Sequence, residues 1–259
     1  MRLAKAVMKA AREHAERMDP QESCGVIITT GGRRQYVACG NDANKPEQDF
    51  KINPRDWCIA EDAGEPVAIV HSHPGALPRP SMADRVEAEK HDLPWLILGR
   101  DESHEWLHPC GYVAPLIGRT FHHGILDCWT AVRDWYAREL AIELPDFERD
   151  DLWWEKEDAQ SLYAANYEAA GFTRVSEPQR GDILIMSIKT PGRPCFHPNH
   201  AAIYLGSDAE LRSEEATPIF GAGPFIFHHM YGRLSTREIY GFSWAQKVEL
   251  ILRHKTKRG

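Results

Sequence analysis

Val67-Ala68-Ile69-Val70-His71-Ser72-His73-Pro74, then six intervening residues, then Ser81-Met82-Ala83-Asp84, is the stretch on which the fold turns. Four apolar residues rich in β-branching predict a short buried strand running into His71, and Pro74 stops it. Residues 82–91 are helix formers, so Asp84 falls early in the next helix. His71 and His73 are one residue apart, and the strand period of two puts both imidazoles on one face. Two neutral nitrogens and one carboxylate can converge on one ion. They leave a fourth tetrahedral position open for water, which separates a catalytic zinc site from a closed structural one.

Water activated in this way needs a base that is not itself a ligand. Glu22, in Pro20-Gln21-Glu22-Ser23-Cys24-Gly25 at the head of a predicted strand, is the candidate, and Ser81 offers a hydroxyl to an oxyanion. Each part has a bland reading when taken alone: an HxH pair is often incidental, and Ser81-x-x-Asp84 is also a capping box that starts a helix.

Around this stretch the pattern is mixed. Leu3, Val7, Ala11 and Ala15 recur at helical spacing and predict a helix over 2–17 that stops before Pro20. Cys24–Thr29 and Gln35–Cys39 flank Gly31-Gly32 and read as a hairpin, 53–62 as a helix, and Trp95–Leu98 as another strand. The expected fold class is α+β, with a first domain over 1–107, a linker over 108–118 and a second domain over 119–259. A chain of 259 residues with 42% hydrophobic and 27% charged residues has room for two cores.

The formal net charge of −7 disfavours nucleic acid and anionic lipid as partners. The one basic run, Arg253-His254-Lys255 with Lys257 and Arg258, reads as a solvated tail. No 18-residue apolar stretch and no signal-peptide pattern follows Met1-Arg2-Leu3, so the expectation is a protein made and folded in a cytosol without membrane insertion. Six cysteines without CxxC spacing predict buried apolar residues rather than a disulfide framework.

The order Glu22, His71-Ser72-His73, Ser81, Asp84 resembles the JAMM (MPN-type) metalloprotease family over residues 1 to about 107. The resemblance implies Zn2+ held by His71, His73 and Asp84, with Glu22 as general acid/base and Ser81 supporting the oxyanion.

The second half carries another constellation. Cys128 follows Gly124-x-x-Asp127 at the start of a helix predicted over 128–142, where the macrodipole and free N–H groups favour a thiolate. A base must come from elsewhere in the chain. His200 heads the strand-like Ala201-Ala202-Ile203-Tyr204-Leu205-Gly206, and Phe225-Ile226-Phe227 leads into His228-His229, either of which could orient the first ring. The bland readings are a buried cysteine behind an Asp N-cap and a satisfied core histidine. Trp153, Trp154 and Tyr163 could line a groove, or simply pack.

Gly-x-x-Asp-Cys, Arg180-Gly181-Asp182 before an apolar strand, and Asn-His-Ala-Ala-Ile-Tyr-Leu-Gly together resemble the NlpC family of papain-like cysteine peptidases over about 115–250. This resemblance implies Cys128 as nucleophile, His200 as base and His228 as orienting group, across an insertion at 208–223. The chain departs from the family at Trp129-Thr130, where Ser-Gly is common, and at Phe121, where a tyrosine assists the oxyanion.

A JAMM domain followed by an NlpC domain resembles the tail-tip assembly family of lambda-like phages. That implies a protein of the host bacterial cytoplasm during assembly and of the virion tail tip, with tail-tip proteins as partners. It also implies a peptidoglycan stem peptide as substrate of the thiol site, and amide or isopeptide hydrolysis at the zinc site. The alternative is a catalytically relict structural or assembly factor of the tail tip. A cellular wall-remodelling enzyme fits less well, because no signal peptide is present.

Overall fold

The computed structural model describes residues 3–257, the last of them by its backbone alone. It divides into two units, Met1–Val113 and Ala114–Gly259.

The first unit runs α1 (Lys5–Met18), β1 (Cys24–Thr30), β2 (Arg33–Cys39), α2 (Pro54–Ala63), β3 (Glu65–His73), α3 (Met82–His91), β4 (Trp95–Gly99) and β5 (His104–Leu107). Its sheet has the order β2-β1-β3-β4-β5. Only β3 and β4 are parallel, and α3 makes the crossover between them. Helices cover both faces, so the central strand reads as a continuous apolar run rather than an alternating one. Ala68 and Val70 of β3 pack with Val7 and Ala11 of α1, whereas Ile69 packs with Ala88 of α3 and with Trp95. His71 and His73 follow the parity of Ile69 and so share its face.

The second unit runs α4 (Cys128–Leu140), α5 (Leu162–Asn166), β6 (Phe172–Val175), β7 (Ile183–Met186), β8 (His200–Gly206), β9 (Phe225–His228), β10 (Thr236–Ile239), α6 (Phe242–Ala245) and β11 (Val248–His254). The strands form an antiparallel sheet in the order β10-β9-β8-β7-β11-β6. One face buries Val132, Trp135 and Tyr136 of α4 against Ile183, Ile185, Ala201, Ile203 and Phe227. On the other face Leu184, Met186, Ala202 and Ile226 meet Tyr240 and Trp244. Among the described residues no helix is long and apolar enough to cross a membrane.

The basic C-terminal run departs from the expected solvated tail. Arg253 and His254 belong to β11, which lies between β7 and β6. Asp182 is fully buried, and Arg253 donates to both its oxygens at 2.7 and 3.0 Å, supplying the cation that a buried carboxylate requires. Arg258 lies outside the described residues. The cysteines also differ from expectation: Cys24 and Cys39 are buried, but Cys58 and Cys110 are exposed.

Candidate functional sites

His71 and His73 stand at the end of β3 with their Nε2 atoms 3.0 Å apart. Asp84 comes from the first turn of α3, with its two oxygens 3.4 Å from His71 Nε2 and 3.5 Å from His73 Nε2. These three are the group of potential metal donors found among the described residues. A tetrahedral zinc with nitrogen ligands at 2.0–2.1 Å implies donor separations of about 3.3 Å, and the donor atoms of these three residues all lie within 4.8 Å of one another.

Local structure aims each donor. Phe50 stacks on the His71 ring at 4.5 Å and Trp95 meets its edge at 5.4 Å. Ser81 is the N-cap of α3: its hydroxyl accepts from Asp84 N at 3.0 Å, while its own N–H donates to Asp84 Oδ2 at 2.7 Å. The capping box is therefore real, and it also fixes the carboxylate that faces the histidines. Ser81 has its hydroxyl hydrogen left over for another acceptor.

Glu22 is buried just before β1. Cys24 pairs with His71, and Ser72 N donates to Ser23 O, so the antiparallel register carries Glu22 to the level of His73. The electrostatics agree. Burial opposes protonation of His73, but the bonded Asp84 carboxylate, and then Glu22, raise its pKa. Burial pushes His71 down to about 4, leaving it neutral with a free lone pair. Burial also works against the charge on Asp84, yet His73, His71 and Ser81 together hold its carboxyl well below the usual range.

In the second unit Cys128 opens α4, and Asp127 caps it. Asp127 Oδ1 accepts from Trp129 N at 3.1 Å and Thr130 N at 3.0 Å. Arg149, with its side chain largely covered, donates to the two oxygens of Asp127 at 2.7 and 2.9 Å, and so locks the turn that presents the cysteine. The thiol lies 3.3 Å from the Tyr163 hydroxyl, and the Ala201 N–H, next to His200, favours its charged form. Among the described hydrogen bonds none joins Cys128 to His200.

The helix terminus was expected to favour the thiolate, and here it does not prevail. Burial first, and the Asp127 charge second, push the thiol pKa up, against Tyr163, the Ala201 N–H and Arg149. His200 is held well below its ordinary value by burial and by the adjacent His228 and His229.

His200 Nε2 lies 3.0 Å from His228 Nδ1, and the rings are tilted by 73°. His229 belongs to a different environment, where its Nε2 donates to Arg233 O at 3.0 Å and Phe121 packs on its ring. Of the aromatics, Trp153 is buried beside Tyr163, and Trp154 packs near His123 and Tyr231. Sequence reasoning had singled out neither Arg149 nor Glu238, which contacts His228; a carboxylate in a short edge strand carries no local signal.

The two units define a class: a JAB-type domain joined to a thiol-peptidase-type domain. Residues 4–108 match the prokaryotic homologs of the JAB domain, and residues 118–253 match the NlpC/P60 family. The chain is 34% identical to tail tip assembly protein K of Escherichia phage N15 over 252 residues, 96% of this chain and 95% of that protein. It is 41% identical to tail tip assembly protein K of Escherichia phage lambda over 212 residues, 80% of this chain and 91% of that one. The chain is also 32% identical to a desampylase of Haloferax volcanii over 112 residues, 39% of this chain and 81% of that relative. The chain belongs to the NlpC/P60 family and to the tail tip assembly protein K family.

Proposed function

We propose that the second unit is a cysteine peptidase acting on peptidoglycan stem peptides, at γ-D-glutamyl-diaminopimelate bonds, and that the protein acts at the phage tail tip. One observation carries this reading: a thiol stands at a capped helix N-terminus 3.3 Å from the Tyr163 hydroxyl, and the histidine assigned as its base is itself 3.0 Å from a second histidine.

In this reading His200 Nδ1, which has no protein partner among the described residues, receives the thiol proton. The sulfur attacks the amide carbon and the amine leaves with that proton. Water then hydrolyses the thioester, with His200 again as base. The Cys128 N–H, at the first helical position, has no intrahelical acceptor and faces the developing oxyanion. The Tyr163 hydroxyl is the second donor, replacing the one that Phe121 lacks.

For the first unit the reading is zinc-dependent amide or isopeptide hydrolysis, with tail-tip proteins as partners and candidate substrates. Zinc would be held by His71 and His73 through Nε2 and by an Asp84 oxygen. When bound it supplies Lewis acidity and lowers the pKa of water towards neutrality. Glu22 holds or passes the proton, and Ser81 donates its hydroxyl hydrogen to the carbonyl oxygen.

Purified sacculi test the thiol site. Wild type should release soluble muropeptides with or without a chelator, and Cys128→Ala should release none. Digestion by Cys128→Ala at the wild-type rate would remove the proposal. Metal analysis tests the other site: one zinc per chain in wild type and none in His71→Ala/His73→Ala is the expected result. The second reading, a relict assembly factor made in the host cytoplasm, draws on the raised thiol pKa and predicts no digestion by any form.

A further inference from the structure

We propose that Glu238 is a positioning residue of the thiol site, fixing the tautomers of His228 and His200 so that the His200 lone pair is left on Nδ1. The inference rests on the reading of Cys128 and His200 as nucleophile and base. It begins with hydrogen counting.

Two neutral imidazoles whose nitrogens stand 3.0 Å apart must be one donor and one acceptor. If His200 is to take a proton on Nδ1, its own proton sits on Nε2 and is donated to His228 Nδ1. The His228 proton is then on Nε2. That atom is buried, and no hydrogen bond of good geometry reaches it. The acceptor within reach is Glu238 Oε1, at 3.4 Å.

The fold places this carboxylate on the correct side. Thr236 pairs with His228 and Glu238 pairs with Ile226, so Glu238 and His228 project from one face of adjacent strands. Trp244 of α6 closes over them, with its ring 4.8 Å from His228, and its indole favours the charged form of Glu238. An ionised carboxylate accepts hydrogen bonds and cannot donate one, so only one of the two possible tautomer chains is satisfied. The contact with His228, aided by Trp244 and the nearby Arg233, holds Glu238 below the usual carboxylate range, and the group is charged at neutral pH.

The other titratable groups near the pair are His229 beside His200, and Asp127 and Arg149 beside Cys128. None of them contacts His228 Nε2. With Glu238 in place the negative end of the chain also stabilises the imidazolium formed when the thiol proton moves to His200.

The experiment follows two readouts that need no peptide substrate. Iodoacetamide alkylation of the Cys128 peptide is timed by mass spectrometry between pH 5 and 9, and the protonated nitrogens of His200 and His228 are assigned by long-range 1H–15N correlation. Wild type, His200→Ala, Glu238→Ala and Glu238→Gln are compared, with melting temperatures to confirm folding. Glu238→Ala should move the alkylation profile up by about half a pH unit to one unit, and His228 should lose its single Nε2–H form. Glu238→Gln, which can still accept through its amide oxygen, should keep the tautomer better than Glu238→Ala while losing the charge effect. If His200→Ala slows alkylation but both Glu238 variants match wild type in profile and tautomer, Glu238 is not a positioning residue. If His200→Ala itself leaves alkylation unchanged, the underlying thiol–imidazole reading fails and the inference falls with it.

Discussion

The zinc-type site of the first unit and the thiol site of the second are built with the same local device and opposite chain economy. Each takes a residue from a capped helix N-terminus: Asp84 inside the Ser81 box, and Cys128 directly after the Asp127 cap. Each takes histidine from a strand end. The first site draws its donors from residues 71–84, where Asp84 is both ligand candidate and cap partner. The second gathers residues 128, 149, 163, 200, 228 and 238 from six segments of chain. A contiguous site is fixed by its own secondary structure, whereas a dispersed one depends on the whole sheet. The two should therefore respond differently to substitution.

The sharpest break between them is expected in activity. His200→Ala should lower sacculus digestion by about 10²- to 10⁴-fold, the usual worth of a positioned general base, and leave zinc content at wild-type level. Asp84→Ala should do the reverse, emptying the metal site in elemental analysis with digestion intact. A variant that lost both together would show that the two units do not work separately.

Stability supplies the next largest effect. Arg149 and Asp127 have side chains that are 8% and 3% exposed. Arg149→Met leaves a carboxylate buried and unpaired, so it should destabilise the second unit by about 3–5 kcal/mol in urea unfolding. The added change Asp127→Asn should recover part of that, because an amide needs no counter-charge. A loss below about 1 kcal/mol would mean that the turn before Cys128 is held by other contacts.

This asymmetry also explains what could be read beforehand. His71, His73, Asp84 and Ser81 were legible because strand parity, a proline stop and a capping box are local rules, whereas Glu22 was named only from its place at the head of a strand. Cys128 was legible as a helix start, and His200 as a strand start. Tyr163 was named only as an aromatic, because nothing local says that its hydroxyl reaches residue 128. Arg149 sits in irregular backbone, and Glu238 in a four-residue edge strand, where neither periodicity nor composition distinguishes one charged residue from another. The basic run at 253–254 misled for the same reason: its partner, Asp182, is 71 residues away. Chain distance, rather than chemistry, set the limit.

Acid should sharpen the contrast further. His229 is held down to about 4, first by burial and then by Arg119, whereas the ordinary value is 6.5. It is neutral in the fold, so between these values the unfolded chain binds more protons. Its contribution is complete above 6.5 and is lost as the pH falls towards 4. The loss should be on the order of 2–3 kcal/mol for His229, with a further decline from His200. The urea midpoint measured at pH 7 and 4.5 should fall less in His229→Gln than in wild type; equal slopes would assign the acid sensitivity elsewhere.

The smallest expected effect separates cap from ligand. Ser81→Ala removes the hydroxyl that accepts from Asp84 N, costing about 1 kcal/mol of helix capping. It leaves the backbone N–H that holds Asp84 Oδ2, so zinc affinity should fall by about tenfold or less. Ser81→Asn, an equally good cap without a hydroxyl, should restore the stability. Zinc titration beside urea unfolding reads both quantities. If Ser81→Ala loses the metal as completely as Asp84→Ala does, the side-chain half of the box aims the carboxylate. The first site would then depend on a single hydroxyl, as the second depends on Arg149.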